Sequence, residues 1–303
     1  MASKSSGALR RPAAVAEPPP PAQTQSPARW VCSGTTLDLA APRVMGVVNV
    51  TPDSFFDGGR FFDRERALDH ARRLRSEGAD IVDIGGESTR PGAAPVAAAD
   101  ELARILPLVA TLAGEGALVS VDTMKPEVMR EALAAGAAIV NDVRALREPG
   151  ALDAVAATSA GVCLMHMQGE PRTMQAQPVY DDVVRDVRAF LVERAAACEA
   201  AGIARERIVV DPGIGFGKTV LHNLALLRQL GDLAATGYPV LVGVSRKSTL
   251  GTLTGQAAAD RLAGSVAAAL AAVTRGARIV RVHDVRATVD ALRVWHAIEG
   301  RVA

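Results

Sequence analysis

Three cysteines in 303 residues are few, and their placement narrows the reading. Cys32, Cys163 and Cys198 are odd in number and none stands in a C-x-x-C pair, which argues against a disulfide framework or a cysteine zinc site and fits a reducing cytosol. Lysine is scarce beside arginine. Lys4, Lys125, Lys218 and Lys247 stand against thirty arginines, so a lysine inside a Gly or Ser motif is conspicuous. A charge excess of one sign is also missing: 34 basic residues meet 33 acidic ones, and a net +1 gives no bulk-charge case for a nucleic-acid partner. No uncharged apolar run has membrane length, and the N-terminus lacks the apolar core of a signal peptide. A cytoplasmic protein with no membrane partner is expected.

Residues 1–28 are rich in Pro, Ala, Ser and Gln without a periodic apolar face, and read as a disordered tail. From 29 to 303 one pattern recurs: a short β-branched run, a polar break, then an Ala/Leu/Arg segment with helical spacing. The eight runs are 44–48, 80–84, 117–121, 138–140, 161–165, 208–210, 240–244 and 279–282. Helical segments lie at 64–77, 98–113, 126–135, 150–158, 181–201, 220–230, 260–275 and 285–299. Strict alternation predicts parallel strands with right-handed crossovers, and eight units favour a closed α/β (βα)8 TIM barrel over a doubly wound sheet. Gly78, Gly136 and Gly276, each followed by Ala, read as helix stops before the next strand.

Polar residues gather after every run: Asn49, the 85–92 loop, Asp122, Asn141-Asp142, His166, Asp211, Ser245–Lys247 and Arg281–His283. In a barrel these ends share one mouth, so they predict a single site. VMGVVNVTPDSFFDGG opens the set, with Phe55 and Phe56 among acids and glycines in a loop that continues neither strand nor tight helix. GGESTRPGA offers anion donors from Ser88, Thr89 and Arg90, or is a flexible turn. Asp122 and the Asn141-Asp142 pair read equally as site groups or helix caps, and His166 as a site group or a core histidine. DPGIGFGKT has the look of a phosphate cradle, but its spacing is not that of a P-loop, so ATP is not implied. GVSRKST and RVHDV, with Gly243, Ser245, Lys247, Ser248, Arg281 and His283, end the seventh and eighth runs, where such barrels bind phosphate. No Ser–His or Cys–His pair is evident, so the acids and amide suggest recognition of a donor-rich heterocycle rather than acyl transfer.

NVTPDSF-x-DGG, GGESTRPGA, VDT-x-KP, ND, MH, DPG-x-GFGK, SRKS and RVHD, in that order, resemble the motifs of the dihydropteroate synthases, from about Val44 to Val285. The resemblance implies condensation of 6-hydroxymethyl-7,8-dihydropterin pyrophosphate with p-aminobenzoate. It implies that Asp122, Asn141, Asp211 and Lys247 hold the pterin, with Met165, Phe216 and Gly243 beside it. Arg281, His283 and Asn49 would handle pyrophosphate, Asn49 through Mg²⁺, the one cofactor implied. Phe55, Asp57, Thr89, Arg90 and Pro91 would close over the site, and Ser248 would lie near the p-aminobenzoate carboxylate. Asp57, Arg90, Lys247, Arg281 and His283 are thereby the expected catalytic set. Phe56 departs from the serine usual at its position. A homodimer through the Ala-rich 262–273 helix is a further implication. Two readings compete: a methyltetrahydrofolate-dependent methyltransferase barrel, which would not need the cationic corner, and a non-catalytic pterin-binding paralogue.

Overall fold

A computed structural model describes residues 29–50, 59–88, 92–170 and 173–300. Eight parallel strands close into a barrel: β3 (Arg43–Asn49), β4 (Ile81–Gly85), β5 (Val119–Asp122), β6 (Ile139–Asp142), β7 (Gly161–Met165), β8 (Ile208–Asp211), β9 (Val240–Val242) and β10 (Ala277–Val282). β10 pairs back onto β3, with Val280 opposite Val44, and that pairing leaves the barrel sheet without an edge. Outside run α1 (Gly59–Ser76), α2 (Ala98–Gly114), α3 (Pro126–Ala134), α4 (Ala151–Ala156), α5 (Val183–Ala200), α6 (Val220–Arg228), α7 (Leu230–Ala234), α8 (Ser248–Thr254), α9 (Leu262–Val273) and α10 (Val285–Ile298). The expected fold is the observed one. Local chemistry sets the helix ends: Pro126 opens α3, Asp182 caps α5 by accepting from Val184 N and Arg185 N, and Thr219 with His222 forms a capping box on α6. Gly78, Gly136 and Gly276 take φ of 104°, 107° and 106°, as stops before β4, β6 and β10 require.

The barrel has two packed regions. Outward residues such as Val44, Val82, Val140 and Val210 join the helices in the larger core. Inward residues Met45, Ile81, Ile139, Cys163, Val209, Leu241 and Ile279 form an apolar lower layer. Beneath it sits an element the sequence pattern did not reveal, an antiparallel hairpin of β1 (Arg29–Cys32) and β2 (Thr35–Asp38). Trp30, Cys32 and Leu39 are buried against that layer, and Trp30 Nε1 donates to Arg207 O at 2.9 Å. The floor is therefore plugged, and polar chemistry is confined to the other end.

Candidate active site

Side chains alternate along a strand, so positions two residues above the apolar layer also point inward. These are Val47, Asp83, Asn141, Met165, Asp211, Gly243 and Arg281, joined by Asp122 at the end of β5, level with Asn141. One two-residue step converts an apolar plug into a charged mouth.

Arg281 organises one side of it. Its Nε donates to Asp83 Oδ2 at 2.6 Å and its Nη2 to Asp122 Oδ2 at 2.7 Å. Asn141 Nδ2 donates to the same Asp83 oxygen at 3.1 Å. Burial opposes the Arg281 charge, but Asp83 and Asp122 outweigh it and hold the guanidinium more firmly protonated than usual. Burial lifts Asp122 to about 7, with Arg281 pulling down and Asp83, Glu101 and Asp142 pushing up. Across the mouth, Asp211 Oδ1 accepts from Gly213 N at 2.7 Å, and burial raises its pKa against the pull of Lys247. Lys247 donates to Ile214 O and lies 4.6 Å from the centroid of the Phe216 ring. Burial lowers Lys247 to about 8. Val143, Met165, Met167 and Met174 form an apolar cluster with Phe216 and Met124 packed on it.

At the ends of β9 and β10, Ser245 Oγ accepts from His283 N at 3.2 Å and lies 3.1 Å from His283 Nδ1. A Ser–His contact therefore exists where the sequence suggested none. The imidazole tautomer sets which group donates in that second contact, and in either tautomer it orients the His283 ring.

The structure decides three ambiguities. Asp122 is not a cap, since the N-cap of α3 is Lys125; it holds Arg281. Asn141 faces the mouth, whereas the Asp142 carboxylate accepts from Arg144 N at 2.8 Å and Leu146 N at 2.7 Å and shapes the following turn. His166 is a buried, internally bonded histidine. Lys125 is committed to Glu87 and, at 2.5 Å, to Glu101, tying the start of the β4–α2 loop to α2 and α3. Asn49 stands half-buried at the end of β3, and Ser248 is the exposed first residue of α8. Phe55, Phe56, Asp57, Thr89, Arg90 and Pro91 lie outside the described residues. Asp83 is the site residue that sequence reading missed. It sits inside the IVDIG run, and its signal was the inward period shared with Ile81.

Among the described residues no three His, Cys, Asp or Glu side chains converge on a metal position. Asn49 places one amide oxygen at the end of β3, the strand paired with β10. That fits a hard cation taking most of its ligands from water and a substrate diphosphate, and not a metal caged by the protein.

The sequence profile of a family described as "Pterin binding enzyme" matches residues 45–283. Dihydropteroate synthase of Neisseria meningitidis serogroup B is 55% identical over 276 residues, covering 89% of this chain and 97% of the relative. The chain belongs to the dihydropteroate synthase family, within the pterin-binding enzymes. Solved members agree in fold. Xanthomonas albilineans dihydropteroate synthase with 4-aminobenzoic acid superposes with a TM-score of 0.85 at 55% identity, covering 90% of this chain and 98% of that one. The Burkholderia cenocepacia dihydropteroate synthase complexed with 7,8-dihydropteroate gives 0.83 at 53% identity, covering 90% and 97%. Every described residue of the mouth from Met165 to Arg281, and Asn49 to Asn141, falls within the span matched by the family profile.

Proposed function

We propose that the chain condenses 6-hydroxymethyl-7,8-dihydropterin pyrophosphate with p-aminobenzoate, giving 7,8-dihydropteroate and pyrophosphate. The observation that carries the reading is the convergence of Asp122, Asn141, Asp211, Lys247 and Arg281 on one barrel mouth, above an apolar plug. Asp211 and Asn141 suit the donor-rich aminopyrimidinone edge of a pterin, and Met165 and Phe216 suit its faces. Arg281, with the Ser245–His283 corner, suits the diphosphate.

The reaction needs no covalent nucleophile. The bond between the pterin methylene carbon and the bridging oxygen breaks, and its electron pair leaves on pyrophosphate. The cation left behind is delocalised into the ring, where the carboxylate of Asp122 stabilises developing positive charge. The arylamine lone pair then forms the C–N bond, and its proton passes to solvent. Asn49 would hold Mg²⁺, whose chemistry when bound is to neutralise the departing diphosphate. Phe55, Asp57, Thr89, Arg90 and Pro91 are assigned their closing roles, and Ser248 its place by the p-aminobenzoate carboxylate, on the resemblance of their motifs alone.

The test is turnover: wild-type protein with both substrates and Mg²⁺ should yield dihydropteroate and pyrophosphate in equal amounts. Pterin binding without turnover would instead mark a non-catalytic paralogue, and methyl transfer from methyltetrahydrofolate the other barrel activity. Leu253 of α8, 55% exposed, and Leu262 at the start of the Ala-rich α9, 44% exposed, support a homodimer, which light scattering on purified protein would test. Three free, buried cysteines, and no described helix long and apolar enough to cross a membrane, support a cytoplasmic place.

A further inference from the structure

The lysine of DPGIGFGKT takes no part in the chemistry above, although its motif has the look of a phosphate cradle. Its position excludes phosphate binding. Lys218 is 3% exposed, and its ammonium already donates to His166 Nδ1 at 2.9 Å, His166 O at 3.2 Å and Phe216 O at 3.0 Å. Three donors meet three acceptors, and none remains for a ligand.

We propose that Lys218 is a positioning residue for the heterocycle pocket, clamping the β7–α5 and β8–α6 loops so that Met165, Asp211 and Phe216 keep one mutual geometry. The inference rests on the pterin reading of that pocket.

The seam is unusually close. Gly213 and Gly217 take φ of 65° and 61°. A Cβ on Gly213 would overlap the His166 carbonyl oxygen, and one on Gly217 would sit 2.5 Å from Gln168 O. Two backbones meet here that only glycine lets approach so nearly. Met165 lies immediately before His166 on one side, and Phe216 two residues before Lys218 on the other. Asp211 is tied to both, because its carbonyl accepts from His166 N at 3.0 Å and its carboxylate from Gly213 N. Tyr180 adds a 2.8 Å hydrogen bond to Gly217 O. Among the described residues, Lys218 is the one group in the seam whose single atom bonds to both loops.

The partner histidine is set for this. Burial, then the Lys218 and Arg147 charges, lower His166 to about 3, so it is neutral. Because Nδ1 accepts from the ammonium, the ring hydrogen is on Nε2. The ring meets Phe190 edge-on at 4.9 Å, which fixes its plane. Lys218, lowered to about 7 by burial with Asp211 opposing and Lys247 adding, fills all three acceptors as the ammonium and two of them as the amine.

The experiment is Lys218→Met in the full chain, read as two quantities: Kd for a pterin lacking the diphosphate and Kd for inorganic pyrophosphate. Pterin affinity should fall by about tenfold to a hundredfold, as for one or two lost hydrogen bonds. Pyrophosphate affinity should stay within about twofold, because neither the Ser245–His283 contact nor the Arg281 ion pairs use a seam residue as partner. Losses equal for both ligands, or absent for both, would overturn the clamp. His166→Asn and His166→Leu supply a second route if Lys218→Met does not fold. The asparagine oxygen replaces Nδ1 as acceptor and should keep pterin affinity, whereas leucine should lose it; equal affinities in the two variants would likewise overturn the clamp. Wild-type protein that bound no pterin would defeat the underlying reading, while wild-type binding unchanged in Lys218→Met would defeat only the clamp.

Discussion

Asp83 shows how much of the site depends on a carboxylate buried behind its lining residues. It is fully buried, and one oxygen receives both Arg281 and Asn141. Its second oxygen has no hydrogen-bond partner among the described residues, so the charge is held in place by Arg281. Asp83→Asn should weaken the hold on Arg281 and lower kcat/KM by about ten- to a hundredfold, with p-aminobenzoate KM changing least. Unchanged steady-state kinetics in that variant would remove Asp83 from the account. Arg281 itself is tied to Asp83 and Asp122 at one edge, and the proposed function gives it the diphosphate. Arg281→Ala should therefore cost more affinity for pterin pyrophosphate than for a pterin without the diphosphate, since a charge-assisted contact is worth about twice a neutral one. Calorimetry giving equal losses would make Arg281 a structural residue. Asp211→Ala should remove most pterin affinity and leave the fold intact; an unchanged Kd would end its role as the acceptor for the ring edge.

Among the elements, the β1–β2 hairpin contributes stability without chemistry. Trp30 is fully buried beneath the apolar layer, so Trp30→Ala should cost about 3–5 kcal/mol of unfolding free energy as a cavity opens. Urea denaturation would measure that loss, while pterin Kd should not move. The hairpin was illegible in sequence for a physical reason. Its strands are four residues each, and β2 carries Thr35, Thr36 and Asp38 exposed, leaving no apolar period to detect. The barrel strands were legible because each is buried on both faces and reads as a β-branched run. That same burial hid Asp83: within IVDIG it looked like an interruption, and only the inward period shared with Ile81 marks it. The Ser245–His283 contact joins residues 38 apart, which no local spacing records. Asp122 and Asn141 were legible as strand-end polar groups, but separating Asn141 from Asp142 required knowing which one the pleat turns inward.

For the whole molecule, the site's charges oppose the fold at neutral pH. Burial raises Asp122 from 3.8 to about 7 and Asp142 from 3.8 to about 6. Between those values the folded state holds more protons than the unfolded, so their stabilisation is full at acid pH and lost as pH rises to about 7. Lys218 and Lys247 fall from 10.5 to about 7 and 8. In that upper window the unfolded state holds more protons, and stability rises with pH. Together these groups place a dip in ligand-free stability near neutrality, where the site is fully charged. Asp122→Asn should flatten the acid limb of a melting-temperature profile; an unaltered limb would show that Asp122 does not titrate there. Under the proposed function, bound substrate would relieve the same cost by supplying partners to the buried charges. That ties the account to its central claim, that the polar layer above the plug is the pterin diphosphate pocket. A crystal structure of this protein soaked with pterin pyrophosphate and Mg²⁺ tests it most directly. The account predicts the ring edge on Asp122, Asn141 and Asp211, its face against Met165 and Phe216, and the diphosphate at Arg281 and His283. A ligand seated elsewhere, with that layer empty, would contradict it.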